Sequence, residues 1–170
     1  ASIDWSVVGR AVGQVASTNM VAYDSLASAA TLAAAIGDTA SAAQYAAQAA
    51  SLKAAINENL WNPGLGAYDA ATDKRGYVVQ DANAWAVYYG VADAEQSAQI
   101  VQTLSDTLST DFGLRAAQEG IGGYPQIVSP FIGSFSLPAN YLAGRPDLAM
   151  EQMLATWGYM ADTDAGSTTW

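Results

Sequence analysis

The stretch AAAIGDTASAAQYAAQAASL, residues 33–52, decides the fold because an apolar run ends at a glycine and an aspartate then opens a second run. The same arrangement recurs in AVYYGVADAEQSAQIVQTL (86–104) and in NYLAGRPDLAMEQMLATW (140–157), and the three glycines are 53 and 54 residues apart. Glycine suits the left-handed position that follows a helix, and aspartate suits the start of the next one. Each unit therefore predicts an antiparallel pair of helices.

Apolar residues at three- and four-residue spacing support these helices, as in the series Tyr45, Ala49, Leu52, Ile56 and Leu60. The first helix of each pair is apolar on nearly every side, whereas the second carries polar residues on one face. We therefore expect the first helices inside and the second helices outside. The predicted pairs are 18–36 with 39–60, 80–91 with 93–109 and 130–143 with 146–161, with turns at Gly37, Gly90 and Gly144.

Two long connections separate the helix pairs, WNPGLGAYDAATDKRGYVVQ (61–80) and TDFGLRAAQEGIGGYPQIVS (110–129). Helical-repeat arrays have periods of about 33 to 47 residues, and tight turns usually join their hairpins. Here the connections are long, rich in glycine and tyrosine, and gathered at one end of the predicted bundle. Long loops at one end favour a ligand pocket, so a closed toroid is preferred over a superhelical array.

Composition excludes several classes of site. The 170 residues carry a net charge of −10 with six scattered basic residues, which argues against nucleic acid as a partner. No run approaches the roughly 20 apolar residues of a membrane-spanning helix, so no membrane partner is expected. The sequence has no cysteine and no histidine, which excludes disulfides, Cys/His metal sites and histidine-based triads. We expect carboxylate chemistry without metal or cofactor, in a secreted microbial protein.

Four stretches resemble the catalytic six-hairpin domain of microbial α-L-rhamnosidases. They are LWNPGLGAYDA (60–70), QDANAWAVYYGVA (80–92), SPFIGSFSLPANYLAGRPDLAMEQMLATWGYM (129–160) and GSTTW (166–170). They cover most of the chain in the order that the family has them. The resemblance implies an all-α fold in which three antiparallel αα-hairpins form about half of a six-hairpin α/α toroid, with residues 1–170 as a single partial domain.

The resemblance also implies a mechanism. Members of that family invert configuration: one carboxylic acid protonates the leaving oxygen, and one carboxylate activates water. The presumed base is a Glu that directly follows the Thr-Thr-Trp pattern, here Thr168, Thr169 and Trp170, and the acid lies upstream of these hairpins. We therefore expect no complete catalytic pair in this chain, with Glu119 and Asp164 as weak candidates within it.

The resemblance places two tryptophans, Trp157 and Trp170, at the wall that contacts the sugar. An indole face suits the C–H face of a deoxy sugar, although helix-end aromatics also pack in cores. Asp4 and Trp5 resemble a family loop whose side chains reach the sugar, but an aspartate cap beside a packed aromatic explains this pair equally well.

Amide side chains open the predicted helix at 80–91. Gln80 and Asn83 could bind sugar hydroxyls there, or they could cap the free N–H groups of the helix. One turn further, Trp85 is predicted to lie in the core. Tyr68 and Tyr124 are possible rim contacts.

The leading hypothesis is thus a segment of an α-L-rhamnosidase that binds a rhamnoside or another plant or microbial glycan. The alternatives are a different α/α-toroid polysaccharide hydrolase or lyase, and a non-catalytic helical-repeat module that binds a glycan or protein. We also expect the open edges to need a partner, either the missing half of the toroid or a second copy of the chain. The residues expected on those edges are Leu26, Leu32, Ile36, Phe131, Phe135, Leu137 and Tyr141.

Overall fold

Seven α-helices and one π-helical turn make up most of the described chain, which comprises residues 13–121 and 126–163 of a computed structural model. The helices are α1 (Ala16–Ala35), α2 (Thr39–Leu60), α3 (Gln80–Tyr88), α4 (Ala94–Leu108), α5 (Pro130–Leu142), α6 (Pro146–Met153) and α7 (Tyr159–Thr163), with the π-turn at Leu154–Gly158. Four two-residue strands complete the list: β1 (Trp61–Asn62), β2 (Ala67–Tyr68), β3 (Ser109–Thr110) and β4 (Gly113–Leu114).

The helices form the three predicted hairpins, α1–α2, α3–α4 and α5–α6. The predicted glycines occupy the turns, with φ of +82° at Gly37 and +73° at both Gly90 and Gly144. Asp38 caps α2 by accepting a hydrogen bond from the Ser41 N–H. Asp93 forms a complete capping box at the start of α4. The all-α prediction is confirmed, because the strands are only two residues long.

Two predicted helix ends differ from the structure. The helix predicted at 80–91 ends at Tyr88. The residues just before Gly90 form the hydrogen bonds of the turn instead of continuing the helix. The helix predicted at 146–161 is α-helical only to Met153, then continues through the π-turn into α7.

The middle hairpin is the best buried. Helix α3 packs between α1 and α5, and every residue from Gln80 to Val87 is buried. Helix α4 lies outside α3 and turns one apolar face inward, formed by Ile100, Val101, Leu104 and Leu108. The expectation that first helices are interior therefore holds fully for α3.

Helices α1 and α5 are buried only on the sides that face a neighbouring helix. Leu32 and Ile36 at the end of α1 are 68% and 83% exposed, while Phe131 and Tyr141 on α5 are 52% and 50% exposed. Three other predicted edge residues, Leu26, Phe135 and Leu137, are partly buried. The two outer flanks of the hairpin row thus present apolar side chains.

The long connections gather at one end of the bundle, which we call the loop end; the three glycine turns lie at the opposite end. Strand β1 pairs with β2 and β3 with β4, both antiparallel. The two connections are joined by backbone hydrogen bonds from Gln118 N to Val78 O (2.9 Å) and from Gln80 N to Ala116 O (2.9 Å). The loop end is therefore one hydrogen-bonded unit.

Candidate functional site

A buried chain of polar side chains crosses the loop end. Nε2 of Gln80, the first residue of α3, donates to Oγ of Ser136 on α5 at 2.8 Å. The same oxygen accepts from Nε2 of Gln152 on α6 at 3.1 Å, and Oε1 of Gln152 accepts from Nδ2 of Asn140 at 3.5 Å. All four residues are buried. The chain links helices of the second and third hairpins directly behind the loops.

Gln80 contributes one further feature, an unsatisfied acceptor. Its Oε1 is buried and has no hydrogen-bond partner among the described residues. An unpaired buried polar atom costs about 1 to 3 kcal/mol, so such atoms are uncommon and are often associated with function. Gln80 was a candidate for binding sugar hydroxyls or for capping the helix; the structure buries its side chain at the loop end with this one acceptor unused.

Asn83 lies one turn into α3, and its side chain binds the backbone of β2. Its Oδ1 accepts from Tyr68 N at 2.8 Å, while its Nδ2 donates to Tyr68 O at 3.1 Å and to Val79 O at 2.9 Å. Both donors of its amide and one acceptor are used within the protein. Asn83 therefore fixes the first connection against α3, and its predicted contact with sugar stays a prediction.

The first connection is anchored by two further buried side chains. The Tyr68 hydroxyl donates to Oδ1 of Asn57 at 2.8 Å, and Tyr68 is fully buried, so it does not form the rim contact that was considered possible. Burial raises the pKa of Tyr68 well above its ordinary value, and the Asp93 carboxylate raises it further. The buried carboxylate of Asp69 accepts from Gly76 N at 2.7 Å and pairs with Arg75 at 3.2 Å. These contacts make Tyr68 and Asp69 structural residues.

Trp157 lies in the π-turn and packs on α5. A Cβ at Gly133 would lie 3.0 Å from Cη2 of Trp157 and 3.2 Å from Nε2 of Gln152, so the glycine leaves room for both. The indole is partly exposed. Single π-turns within α-helices are found frequently at functional sites. Trp157 thus combines helix packing with an accessible surface at the loop end.

The π-turn also holds the second connection in place. Thr156 donates from Oγ1 to Phe112 O at 3.0 Å. Gly113 has φ of +108°, and a Cβ there would lie 2.0 Å from Thr156 Oγ1. Only glycine fits this position, because both its backbone conformation and the available space exclude a side chain. The β3–β4 pair is therefore seated directly on the π-turn.

The remaining predicted site residues lie apart from this arrangement or outside the described residues. Glu119 is 75% exposed and forms an ion pair with Arg115, which is the situation of a solvated loop acid. Asp4, Trp5, Asp164 and Trp170 lie outside the described residues, as does Tyr124. The catalytic and sugar-binding roles suggested for these residues stay predictions.

Neither a metal site nor a membrane-spanning helix is found in the described ranges, 13–121 and 126–163. Within them, no group of three or more His, Cys, Asp or Glu side chains could hold a metal ion. Within the same ranges, no helix has both the length and the apolar character needed to cross a bilayer.

Sequence reasoning missed the polar chain and the seat of the β3–β4 pair. A signal for the first was available: Ser136 and Asn140 are four residues apart in a mostly apolar helix, so they share one face. No comparable signal marks the contact between Thr156 and Gly113, because these residues are 43 positions apart and meet only in the fold.

Comparison with solved structures identifies the architecture. The chain resembles the rhamnosidase from Klebsiella oxytoca with rhamnose bound, with a TM-score of 0.68 and 22% identity over 86% of this chain and 25% of that one. It also resembles the neutral trehalase Nth1 from Saccharomyces cerevisiae, with a TM-score of 0.69 and 15% identity over 85% of this chain and 31% of that one. At these identities the likeness shows the fold: the three hairpins are part of a six-hairpin α/α toroid. The chain spans between a quarter and a third of the length of these two proteins.

Sequence comparison identifies the family. No curated protein matches this sequence. The family model described as the mannosylglycerate hydrolase MGH1-like glycoside hydrolase domain matches residues 6–120, more than half of the chain. With the toroid architecture of its three hairpins, this match means that the chain belongs to the MGH1-like glycoside hydrolase domain family.

Proposed function

We propose that this chain supplies part of the sugar-binding wall of an inverting glycoside hydrolase that cleaves terminal α-L-rhamnosyl linkages. The observation that carries the proposal is the π-turn, which holds the partly exposed indole of Trp157 against Gly133 at the loop end. An indole face complements the apolar C–H face of a deoxy sugar. The sequence stretches that resemble α-L-rhamnosidases include this turn and the helix α5 on which it packs.

The carboxylates of this chain indicate which part of the reaction it performs. We call the separation of sugar binding from the catalytic pair the division of labour. An inverting enzyme needs an acid and a base about 6.5 to 9.5 Å apart, with the water between the base and the sugar. Asp69 is engaged by Asn62, Gly76 and Arg75, and Glu119 is paired at the surface. We therefore assign sugar binding to this chain and the catalytic pair to other parts of the toroid, as the resemblance to rhamnosidases implies.

A mannosylglycerate is the second candidate substrate, because the matching family description names a mannosylglycerate hydrolase. A glycerate carboxylate calls for a cationic partner. The arginines near the loop end, Arg75 and Arg115, are each paired with a carboxylate of this chain. The pairing leaves these two arginines unavailable to a glycerate, and the rhamnoside is preferred because of the sequence stretches that resemble α-L-rhamnosidases.

A binding experiment tests the proposal. Calorimetric titration of the chain with methyl α-L-rhamnoside, an α-mannosylglycerate and trehalose should give measurable binding of the rhamnoside alone. Trp157→Ala should weaken that binding by roughly two- to tenfold, the range expected for loss of one aromatic contact. The matched control is Trp61→Phe, since Trp61 packs on Tyr68 in the first connection and should leave the affinity unchanged.

Three outcomes contradict the proposal: no binding of the rhamnoside, tighter binding of the mannosylglycerate, or an affinity that Trp157→Ala does not change. An aryl α-L-rhamnoside hydrolysis assay completes the test. Turnover by this chain alone would show that its own carboxylates perform the chemistry, so the division of labour would be wrong.

A further inference from the structure

A small polar pocket lies between the outer helices α4 and α6, beside the β3–β4 pair. Its volume is about 60 Å³, several times the roughly 10 to 15 Å³ that one water molecule needs. We call it the junction pocket, because it lies where the middle and third hairpins meet. The residues that the argument uses are Val101, Ser105, Ser109, Asn140, Leu148 and Glu151.

Asn140 on α5 presents a buried acceptor to the junction pocket. The residue is only 4% exposed, and its Nδ2 donates to Oε1 of Gln152 at 3.5 Å. Its Oδ1 accepts no hydrogen bond from the described residues. Unlike Oε1 of Gln80, this oxygen is not sealed inside the protein. Because the rest of Asn140 is buried, Oδ1 reaches solvent through the junction pocket.

The rim of the pocket carries one negative charge. Glu151 on α6 is exposed, and its carboxylate forms no ion pair or hydrogen bond with the described residues. The hydroxyls of Ser105 and Ser109 are likewise unengaged by other described side chains or backbone. Among the described residues that line the pocket there is neither Lys nor Arg. The polar groups offered to a ligand are therefore acceptors, or hydroxyls that can accept.

This lining restricts the ligand to a hydrogen-bond donor. An anion would meet the Glu151 carboxylate without a cationic partner. A divalent metal ion prefers several carboxylates, and this pocket has one. A primary ammonium group carries three N–H donors and is attracted by a carboxylate, whereas a hydroxyl donates once and has no charge. The aliphatic side chains of Val101 and Leu148 suit the methylene groups behind an ammonium.

We propose that the junction pocket binds the primary ammonium group of an aliphatic amine, either a free amine or a lysine side chain. Oδ1 of Asn140 accepts from the ammonium, and Glu151 at the rim supplies the neutralising charge. The methylene groups lie against Val101 and Leu148. The inference does not depend on the proposed sugar site, because Trp157 does not line this pocket.

The first test compares three small probes by NMR titration of the chain at low ionic strength: n-butylammonium, n-butanol and tetramethylammonium. The readout is the shift of the side-chain amide signals of Asn140 and Gln152. Only n-butylammonium has both charge and N–H donors, so it should bind about tenfold more tightly than either of the others. Equal affinity for the three probes overturns the proposal.

A fourth probe separates the two sources of the ammonium group. Nα-acetyl-lysine methylamide carries the same ammonium on a peptide-like backbone. Binding as tight as that of n-butylammonium supports a lysine side chain as the natural ligand. Clearly weaker binding supports a free amine, since the entrance then excludes the backbone.

Two variants test the pocket itself. Glu151→Gln keeps the shape of the rim and removes its charge, so it should weaken n-butylammonium binding roughly two- to fivefold, as for an exposed ion pair. Glu58→Gln is the matched control, because Glu58 is an exposed glutamate on α2 that does not line the pocket. Ser105→Leu fills the pocket from α4 and should abolish binding.

The outcomes of the variants are decisive in either direction. Binding that survives Ser105→Leu overturns the site. Equal losses in Glu151→Gln and Glu58→Gln show an effect of net charge alone and also overturn it. Circular dichroism checks each fold, and the two glutamate variants decide the question if Ser105→Leu does not fold. A crystal soaked in n-butylammonium that holds only water in the pocket contradicts the proposal independently.

Discussion

The first and middle hairpins share one sequence pattern, an apolar run that ends at a glycine before an aspartate, and have very different surroundings. Helix α3 in the middle hairpin is buried from Gln80 to Val87, whereas the longer helix α1 leaves Leu32 and Ile36 more than two-thirds exposed. Both helices are apolar on most sides. The difference lies in their neighbours: among the described helices, α3 has inner helices on both flanks, and α1 has one on a single flank. Such an apolar sequence thus indicates a helix that is buried in a closed ring. A helix of this kind becomes fully buried only when both of its neighbours are present.

The sharpest way to test this comparison is to truncate one large side chain in each inner helix. Trp85 in α3 is 7% exposed and meets Phe135 edge to face at 5.6 Å, so Trp85→Ala should destabilise the chain by about 3 to 5 kcal/mol. Leu32 in α1 is 68% exposed, so Leu32→Ala should change the free energy of unfolding by less than about 0.5 kcal/mol. Urea denaturation measures both values.

A conservative variant controls for the indole N–H of Trp85, which has no hydrogen-bond acceptor within 13–121 and 126–163. Trp85→Phe keeps an aromatic ring and removes that donor, so it should cost clearly less than Trp85→Ala. Equal costs for Trp85→Ala and Leu32→Ala would mean that the two hairpins are equally buried in solution, contrary to the comparison.

The elements with local causes were predictable from the sequence. Gly37, Gly90 and Gly144 follow their helices because glycine readily adopts the left-handed conformation needed there. Asp38 and Asp93 cap the next helices through their own side chains. These decisions involve residues within a few positions of one another. For the same reason the hairpin bounds were correct to within a few residues, and Trp85 was correctly assigned to the core.

The candidate site was less predictable because its contacts join distant segments. The hydrogen bonds among Gln80, Ser136 and Gln152 link three helices. The close approach of Gly113 to Thr156 links a loop to an outer helix. The sequence LATWG does not predict the π-turn, because the extra residue is defined by the hydrogen bonds of the folded helix. Tyr68 was considered for the rim because a tyrosine in a glycine-rich loop suggests a surface position, whereas the partners that bury it come from α2 and α3.

A second pair of substitutions extends the comparison to backbone positions. Gly113 follows the middle hairpin and Gly37 forms the turn of the first, and both have positive φ. A Cβ at Gly37 would meet nothing within 4 Å, so Gly37→Ala should cost only the backbone strain of about 1 to 2 kcal/mol. At Gly113 the methyl group would also displace Thr156, so Gly113→Ala should cost about 2 to 4 kcal/mol. Thermal unfolding would refute the difference if the two variants melted together.

The smallest expected effect concerns the cap of the first hairpin. Hydrogen bonds donated by Ser41 lower the pKa of Asp38 below its ordinary value of 3.8. Because the pKa is depressed in the folded state, the added stability is present above about pH 4 and disappears as the pH falls through the folded value. Asp38→Asn keeps the cap without the charge. The melting temperature of the natural chain should exceed that of the variant at neutral pH, and the two should converge in acid; a constant difference would exclude this contribution.

The π-turn rotates the last part of the outer helix of the third hairpin about the helix axis. Each residue of an α-helix advances the helix by about 100°, so the single additional residue in 154–158 rotates everything after it relative to α6. Tyr159 and Met160 would otherwise point about a quarter of a turn away from Phe112. One inserted residue thus brings Tyr159 into edge-to-face contact with Phe112, so the outer helix also holds the connection between β3 and β4.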